Sequence, residues 1–375
     1  MKKTLAAVAV LGTFAGSALA ADVTLYGVVD TGLHYLHADA DDTKDATDSL
    51  SMRSGISSGN RWGIKGVEDL GNGMSVGFVL ENGFDSDTGK IGQGGRIFGR
   101  EANLFVRGSF GELSFGRVGQ LTSGNGTYGI AGSLSPFGTT CGAYAANVSN
   151  YFAGYERMDN TITYKSPSFA GVNVYAQYSL EYDSNSADKW AVNEGDWSDS
   201  LRYGALGVTY KNEGLYLAAI VDTYLYGNKA PKNDDDGYTF TLGGSYDFGV
   251  AKLYAAGQYF NNVHTDFFDR VKDFVGASGW DDLWIDGYGL TIGADIPAAA
   301  GTVKVSAAYM NAEDSADGSK LEMNKWAVSA GYIYPFSKRT CVYTALSYSR
   351  ANYESANPDV EPSAVEIGLG LKHSF

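Results

Sequence analysis

Apolar and polar residues alternate with a period of two through most of the chain. In the first run Val23, Leu25, Gly27, Val29 and Leu33 fall on one face, and Thr24, Tyr26, Asp30 and His34 on the other. Further along, Tyr238, Phe240, Leu242, Tyr246 and Phe248 oppose Thr239, Thr241, Gly243, Ser245 and Asp247. Val303, Val305, Ala307 and Tyr309 oppose Thr302, Lys304 and Ser306, and Val365, Ile367, Leu369, Leu371 and Phe375 oppose Glu366, Lys372 and Ser374. Successive strand side chains point to opposite faces, so each run predicts a strand with one apolar side. Soluble β-sandwiches share this alternation, and it does not by itself decide the architecture.

The spacing of the interruptions decides more. Seven short breaks occur, around residues 69–73, 110–112, 167–169, 212–214, 247–249, 297–301 and 335–339. Between them lie longer polar stretches, among them residues 39–54, 183–200, 228–237, 311–320 and 355–362. Seven short turns alternating with eight long connections join sixteen strands. An even count, short turns at one end and long loops at the other, is the plan of a transmembrane barrel. All seven prolines fall in turns or loops, as strand pairing requires. The fold class expected is therefore all-β, a 16-stranded antiparallel transmembrane β-barrel. Its apolar face is outside and its lumen wet. Tyr164, Tyr210, Tyr246, Tyr309, Tyr334, Tyr348 and Phe375 stand near strand ends, where an interfacial aromatic girdle belongs. The third long connection, from about Gly119 to Tyr155, is the anomalously long one.

Composition narrows the class further. The chain has 375 residues with 49 Gly, 13% aromatic residues and only 2 Cys, which excludes a disulfide scaffold and a disordered tail. A net charge of −15 argues against a nucleic-acid partner. Met1-Lys2-Lys3, an apolar stretch from Thr4 to Gly16 and Ala18-Leu19-Ala20 read as a signal peptide over residues 1–20, cut before Ala21. Residues 21–375 are then one barrel domain with 26 basic and 43 acidic residues, a net −17. No run of eighteen apolar residues follows, so this domain enters a membrane only as a barrel.

Several segments resemble the general porins of β-proteobacteria. Val23-Thr24-Leu25-Tyr26-Gly27-Val28-Val29-Asp30 is similar to their opening strand, and the run from Asn60-Arg61-Trp62-Gly63 to Gly71-Asn72-Gly73 to their second strand and first periplasmic turn. Phe115-Gly116-Arg117, Ser135-Pro136-Phe137-Gly138, the stretch from Arg157-Met158-Asp159-Asn160 to Ser166-Pro167, and Ser337-Lys338-Arg339-Thr340 follow in the family's order. The amphipathic last strand with Phe375 is similar to the signal read by the barrel-assembly machinery. The resemblance implies a homotrimer in the cell outer membrane. Each barrel would be a passive channel for small hydrophilic solutes and inorganic ions, with no enzymatic activity and no cofactor.

It also implies that the third loop folds into the lumen and faces a basic wall. Alternation points Arg61 and Lys65 inward, opposite Trp62 and Ile64, and Arg157 inward with Thr161 and Thr163. Arg107 shares the inward face of Glu101 and Asn103. Arg100 and Arg117 belong to the family's wall, but alternation sets them on the other face unless a bulge or a strand end intervenes. With Gln120, Pro136 and Phe137 from the loop, the expected constriction set is Arg61, Lys65, Arg100, Arg107, Arg157, Gln120, Pro136 and Phe137. From Val118 to Tyr155 there is no Asp, Glu, Lys or Arg, whereas related loops commonly carry acidic residues. Negative partners must come from elsewhere, with Asp30, Glu68, Glu81 and Glu101 as candidates. A basic wall facing a neutral loop favours anions weakly. Acidic outer stretches, Asp39 to Asp48, Asp234 to Asp236 and Asp281 with Asp282, pull toward cations but are screened beyond about 8 Å in physiological salt.

Other chemistry is sparse. The acidic stretches lack the spacing of a calcium loop and read as solvated loops, able to bridge lipopolysaccharide phosphates through divalent ions. The four histidines show no metal-ligand spacing, and there is no nucleophile elbow or Walker loop. The alternative function is a substrate-selective channel with a binding site at the constriction, built on Tyr128, Phe137, Tyr144, Tyr151, Phe152 and Tyr155. Packing that pins the loop to the wall is the competing role for these aromatics. Export is oxidising, so Cys141 and Cys341 are either bonded or two free thiols; sequence supplies no distance to choose between them.

Overall fold

The computed structural model describes residues 23–375 apart from 41–44, 144, 155–156, 183–198, 228–234, 266–282, 317–318, 320 and 355–358. The expected signal peptide, Asp41, Asp42, Tyr144, Tyr155, Asp234, Asp281 and Asp282 lie outside the described residues. Seventeen strand segments follow one another: β1 (Thr24–Asp39), β2 (Thr47–Ser54), β3 (Arg61–Gly71), β4 (Met74–Gly83), β5 (Glu101–Gly108), β6 (Gly111–Gly119), β7 (Arg157–Lys165), β8 (Val172–Ser179) and β9 (Arg202–Asn212). The rest are β10 (Leu215–Leu225), β11 (Gly237–Asp247), β12 (Lys252–His264), β13 (Trp284–Ala298), β14 (Gly301–Asp314), β15 (Glu322–Pro335), β16 (Thr340–Glu354) and β17 (Ser363–Ser374).

Every pairing is antiparallel and between chain neighbours, except that β1 also pairs with β3 and with β17, the latter from Val28↔Ser374 to Asp39↔Ser363. That pairing closes the sheet, and the seam is finished by Gly27 and Phe375, which exchange backbone hydrogen bonds of 3.1 and 3.0 Å. β2 covers the outer half of β1 and β3 the inner half. The two are one stave with a break in it, which makes seventeen segments a closed barrel of 16 strands. The expected stretch 39–54 is therefore part loop and part strand.

The seven short turns lie where alternation stops. After β3 and β11 an Asp carboxylate accepts the N–H two residues on, Asp69 from Gly71 and Asp247 from Gly249, each at 2.8 Å. This is the reason Asp-x-Gly marks both turns. The outward positions are apolar and exposed, for example Leu242, Ile292 and Leu369, while Thr239, Thr241 and Ser347 on the other face are buried. Six outward aromatics form one contiguous ladder across β11–β16, with ring contacts Tyr238–Tyr259, Tyr288–Tyr309 and Trp326–Tyr348. Tyr246–Phe248 and Tyr334–Phe336 pair at the short-turn end. An apolar band between two aromatic rows is what a bilayer selects.

The third long connection (loop L3), described over residues 120–154 apart from 144, lies along the inner wall. It contains a short 3₁₀ turn (Ala131–Leu134) and one helical turn (Val148–Tyr151), the latter capped by Asn147. Its residues 120–155 carry no ionisable Asp, Glu, Lys or Arg, yet charged wall residues hold it. Asp222 on β10 accepts from Thr122 Oγ1 at 2.8 Å, and Glu101 on β5 from the Thr127 N–H and hydroxyl. Glu112 accepts from Tyr128 OH at 2.6 Å, and Glu366 on β17 from the Ala143 N–H at 3.2 Å. Lys304 caps the Pro136 carbonyl at 2.8 Å, and Lys325 lies 5.0 Å over the Tyr151 ring. Gln258 closes a two-way bond with the Ala153 backbone. The loop's N–H groups meet carboxylates and its carbonyls meet ammoniums. A neutral loop therefore needs a charged wall.

Cys141 and Cys341 are free thiols, so the bonded alternative is not what this fold holds. Cys341 faces Lys372 across the sheet, whereas Gly142, next to Cys141, packs on the Glu366 carboxylate. Six residues of strand at about 3.3 Å each separate those levels, far beyond the ~7 Å between Cα atoms that a disulfide spans.

Two outcomes are expected. Unreduced, denatured protein should titrate two thiols; burial pushes the Cys141 thiol up to about 11, so in the folded barrel its thiolate is about one part in a thousand at pH 8. Maleimide labelling at pH 8 should accordingly be slow before unfolding and fast after it. Asp222→Ala strands the Thr122, Tyr203 and Thr239 hydroxyls that its carboxylate accepts. The loss should be on the order of 3 kcal/mol, read as a lower melting temperature of the detergent-solubilised barrel by circular dichroism.

Candidate functional site

Three arginines arrive at one place by three different local routes. Arg61 opens β3 directly after the break in the second stave. Its Nη1 donates to the Gly59 carbonyl at 2.9 Å, and its Nε stands 3.6 Å from Glu81 Oε2. Arg100 is the last residue before β5, so strand parity does not govern it. Its Nε donates to Glu81 Oε1 at 2.7 Å, while Glu101, the first strand residue, faces Thr127 of L3. Arg157 opens β7, and its Nη2 donates to Asn125 Oδ1 of L3 at 2.8 Å.

Together with Ser58, Gly59, Gln93, Gly124, Asn125, Thr139 and Thr140, the three arginines line a cavity of about 450 Å³. Hydroxyls, amides and backbone from L3 make one side, guanidiniums the other. Glu81 is paired with Arg61 and Arg100 of this group, and it also accepts from Tyr26 OH at 3.0 Å. Beside it a second knot forms, in which Arg96 and Arg117 share Asp159 at 2.8 and 2.7 Å. Of the four candidate acidic partners, Glu81 meets the arginines and Glu101 meets L3. Asp30 bonds backbone N–H groups at the strand break, and Glu68 is exposed.

Alternation alone does not place these side chains. Between Gly116 and Val118 of β6, β7 carries one extra residue, at Asp159 and Asn160, and Asn160 takes the left-handed conformation with φ 51°. The bulge breaks parity within β7, so Arg157 does not inherit its orientation from Thr161; Met158, its neighbour, is buried as well. The same bulge sets Asp159 beside Arg117. Arg117 donates to the Gly99 carbonyl and does not line the cavity.

The rest of the expected set lies elsewhere. Lys65 is exposed four residues along β3 from Arg61, with its ammonium 5.1 Å over the Tyr26 ring. Arg107 stands at the short turn between β5 and β6, ion-paired with Glu112 and stacked 4.1 Å over Phe105. Gln120 is buried and donates to Tyr224 OH at 3.4 Å, between loop and wall. Pro136 and Phe137 also face the wall: the Pro136 carbonyl takes Lys304, and Phe137 packs over Gly331. Their position follows from apolar burial, since L3 needs a face to set against the barrel. Tyr128, Tyr151 and Phe152 are buried in that same packing, not exposed along the lumen. Ser58, Gly59, Gln93 and Arg96 were not anticipated. The Gly55-Ile56-Ser57-Ser58-Gly59-Asn60 run, a Gly/Ser interruption just before Arg61, was the available signal for the first two.

Comparison with known proteins agrees with this geometry. The sequence profile of the Gram-negative porin family matches residues 6–353. An outer membrane porin of Bordetella pertussis is 33% identical over 401 aligned positions, covering 100% of both chains. Outer membrane porin protein 32 of Delftia acidovorans is 30% identical over 396 positions, again covering 100% of both. Among solved structures, an anion-selective porin from Comamonas acidovorans superposes with a TM-score of 0.69 at 25% identity, covering 95% of this chain and 100% of that one. The chain therefore belongs to the Gram-negative porin family and is an outer-membrane general diffusion porin, a channel rather than an enzyme.

Proposed function

We propose that the cavity ringed by Arg61, Arg100 and Arg157 is the narrowest part of the channel, and that it gives the porin a weak preference for small anions. One observation carries this reading: three guanidiniums converge there, two of them paired with Glu81 and the third bonded to Asn125, opposite a loop stretch free of Asp, Glu, Lys and Arg. In a narrow passage with low-dielectric walls, such an imbalance concentrates counter-ions. The structurally similar Comamonas acidovorans porin is described as anion-selective, which supports the same reading. The net negative charge of the chain opposes it at the mouths, where salt screens it.

The solutes are small, hydrophilic and unbound, since the ring offers polar contacts but no aromatic track. Assembly as a homotrimer is part of the proposal, supported by an outer membrane protein of Vibrio cholerae of the same fold recorded in trimer form. So are export through cleavage after residue 20, and contact of the acidic outer loops with lipopolysaccharide through divalent ions.

Planar-bilayer recording under a potassium chloride gradient tests the reading. Triplet conductance steps with a zero-current potential of chloride sign are expected. A unit charge about 4 Å from a passing ion is worth about 1 kcal/mol in water, so Arg157→Gln should lower the chloride-to-potassium permeability ratio, chloride falling and potassium rising by up to about five-fold each. A ratio unchanged in both Arg157→Gln and Arg100→Gln would overturn it.

A further inference from the structure

The break in the second stave is larger than a ladder irregularity. β2 follows β1 to Thr31↔Ser54, and β3 resumes at Val28↔Arg61. Val29 and Asp30 of β1 thus face six residues, 55–60, four more than pairing needs. The surplus goes inward. Ile56 packs on the luminal face shared by Asp30, His34 and Glu366, at Gly32 and Gly368. A Cβ on Gly368 would come within 2.9 Å of Ile56 Cγ2, and one on Gly32 within 3.0 Å of its Cδ1. Two wall glycines leave the space that an apolar side chain fills in a wet lumen.

The bend is held from three sides. From L3, the Cys141 N–H donates to the Ile56 carbonyl at 2.7 Å. From the wall, Asp30 Oδ2 accepts the Ser57 and Ser58 N–H groups at 2.9 and 2.6 Å, while Oδ1 takes the Tyr343 hydroxyl. From behind, Asn60 accepts the Asp30 N–H and donates to Ser86 Oγ. The result carries Ser58 and Gly59 to the arginine cavity. There a Cβ on Gly59 would lie 2.9 Å from Arg100 Nη1, so no larger residue fits without moving the guanidinium.

We propose that the bend at residues 55–60 is a second constricting element set against L3, and that Asp30 is the positioning residue that fixes the size limit of the pore. Asp30 acts through the backbone it holds, replacing the ladder bonds that Ser57 and Ser58 lost, and does not itself line the cavity. The inference rests on the reading of that cavity as the narrowest passage.

The test uses the full channel in planar bilayers and in liposomes swollen by neutral sugars of increasing size, with folding checked by heat-modifiable migration in gels. Deletion of residues 56–59, and independently Asp30→Ala, should raise single-channel conductance and admit sugars at least a hexose unit larger than the wild type admits. Asp30→Asn keeps an oxygen for the two N–H groups while removing the charge, so it should retain the wild-type sugar limit. If Asp30→Ala and Asp30→Asn shift the zero-current potential alike and leave the sugar limit alone, Asp30 acts by charge and the proposal is overturned. An unchanged limit in folded deletion and Asp30→Ala channels, with Arg157→Gln still altering selectivity, overturns the bend and leaves the arginine passage standing. No response in any of them overturns both.

Discussion

A bilayer offers no water to backbone amides, and everything else in this barrel is an answer to that constraint. In the staves the answer is the ladder, closed by β1 against β17 and sealed by Gly27 with Phe375. Where the chain leaves the ladder it turns toward the lumen, and there side chains take over the orphaned groups. Asp30 does this for Ser57 and Ser58; Gln177 does it for Leu121, Gln258 for Ala153 and Glu366 for Ala143. Irregular backbone, buried carboxylates and the functional cavity occur together because each requires the others.

This explains how the charge came to be distributed. The wall, not the loop, holds the charged side chains around L3, and they serve two purposes. Glu112, Asp222, Glu366, Lys304 and Lys325 hold backbone and hydroxyls, whereas Arg61, Arg100 and Arg157 face the open space. L3 can therefore be electrically blank and still be fixed in position. The local balance at the passage is set by a handful of residues, and the large negative total of the chain says little about it.

Sequence alone made the barrel legible: the seven turns and the outward faces are where alternation puts them, while the expected connection 39–54 is part strand. Period-two patterning is a direct image of a pleat between lipid and water, so it survives in a single sequence. The site was legible only in part, because a single bulge inverts parity. Arg157 lies beyond the Asp159–Asn160 bulge, and Arg100 lies just outside β5. Gln120, Pro136 and Phe137 belong to the inward loop, but their side chains turn to the wall. No pattern in L3 distinguishes its packed face from its open one, since apolar residues of an internal loop have no fixed period. The strand break at residues 55–60 left only a short Gly/Ser run, Gly55 to Asn60, which marks an interruption but does not say that the surplus chain turns into the lumen.

L3 also touches a large share of the circumference. Its partners sit on β5, β8, β10, β12, β14, β15 and β17. A thin-walled tube under lateral pressure from the surrounding lipid tends to flatten, and its bore shrinks as its outline becomes oval. A strap pegged at points around the inner wall resists that ovalisation in the way a spoke resists the buckling of a rim. The bore of this channel is thereby insulated from the tension of the membrane that contains it.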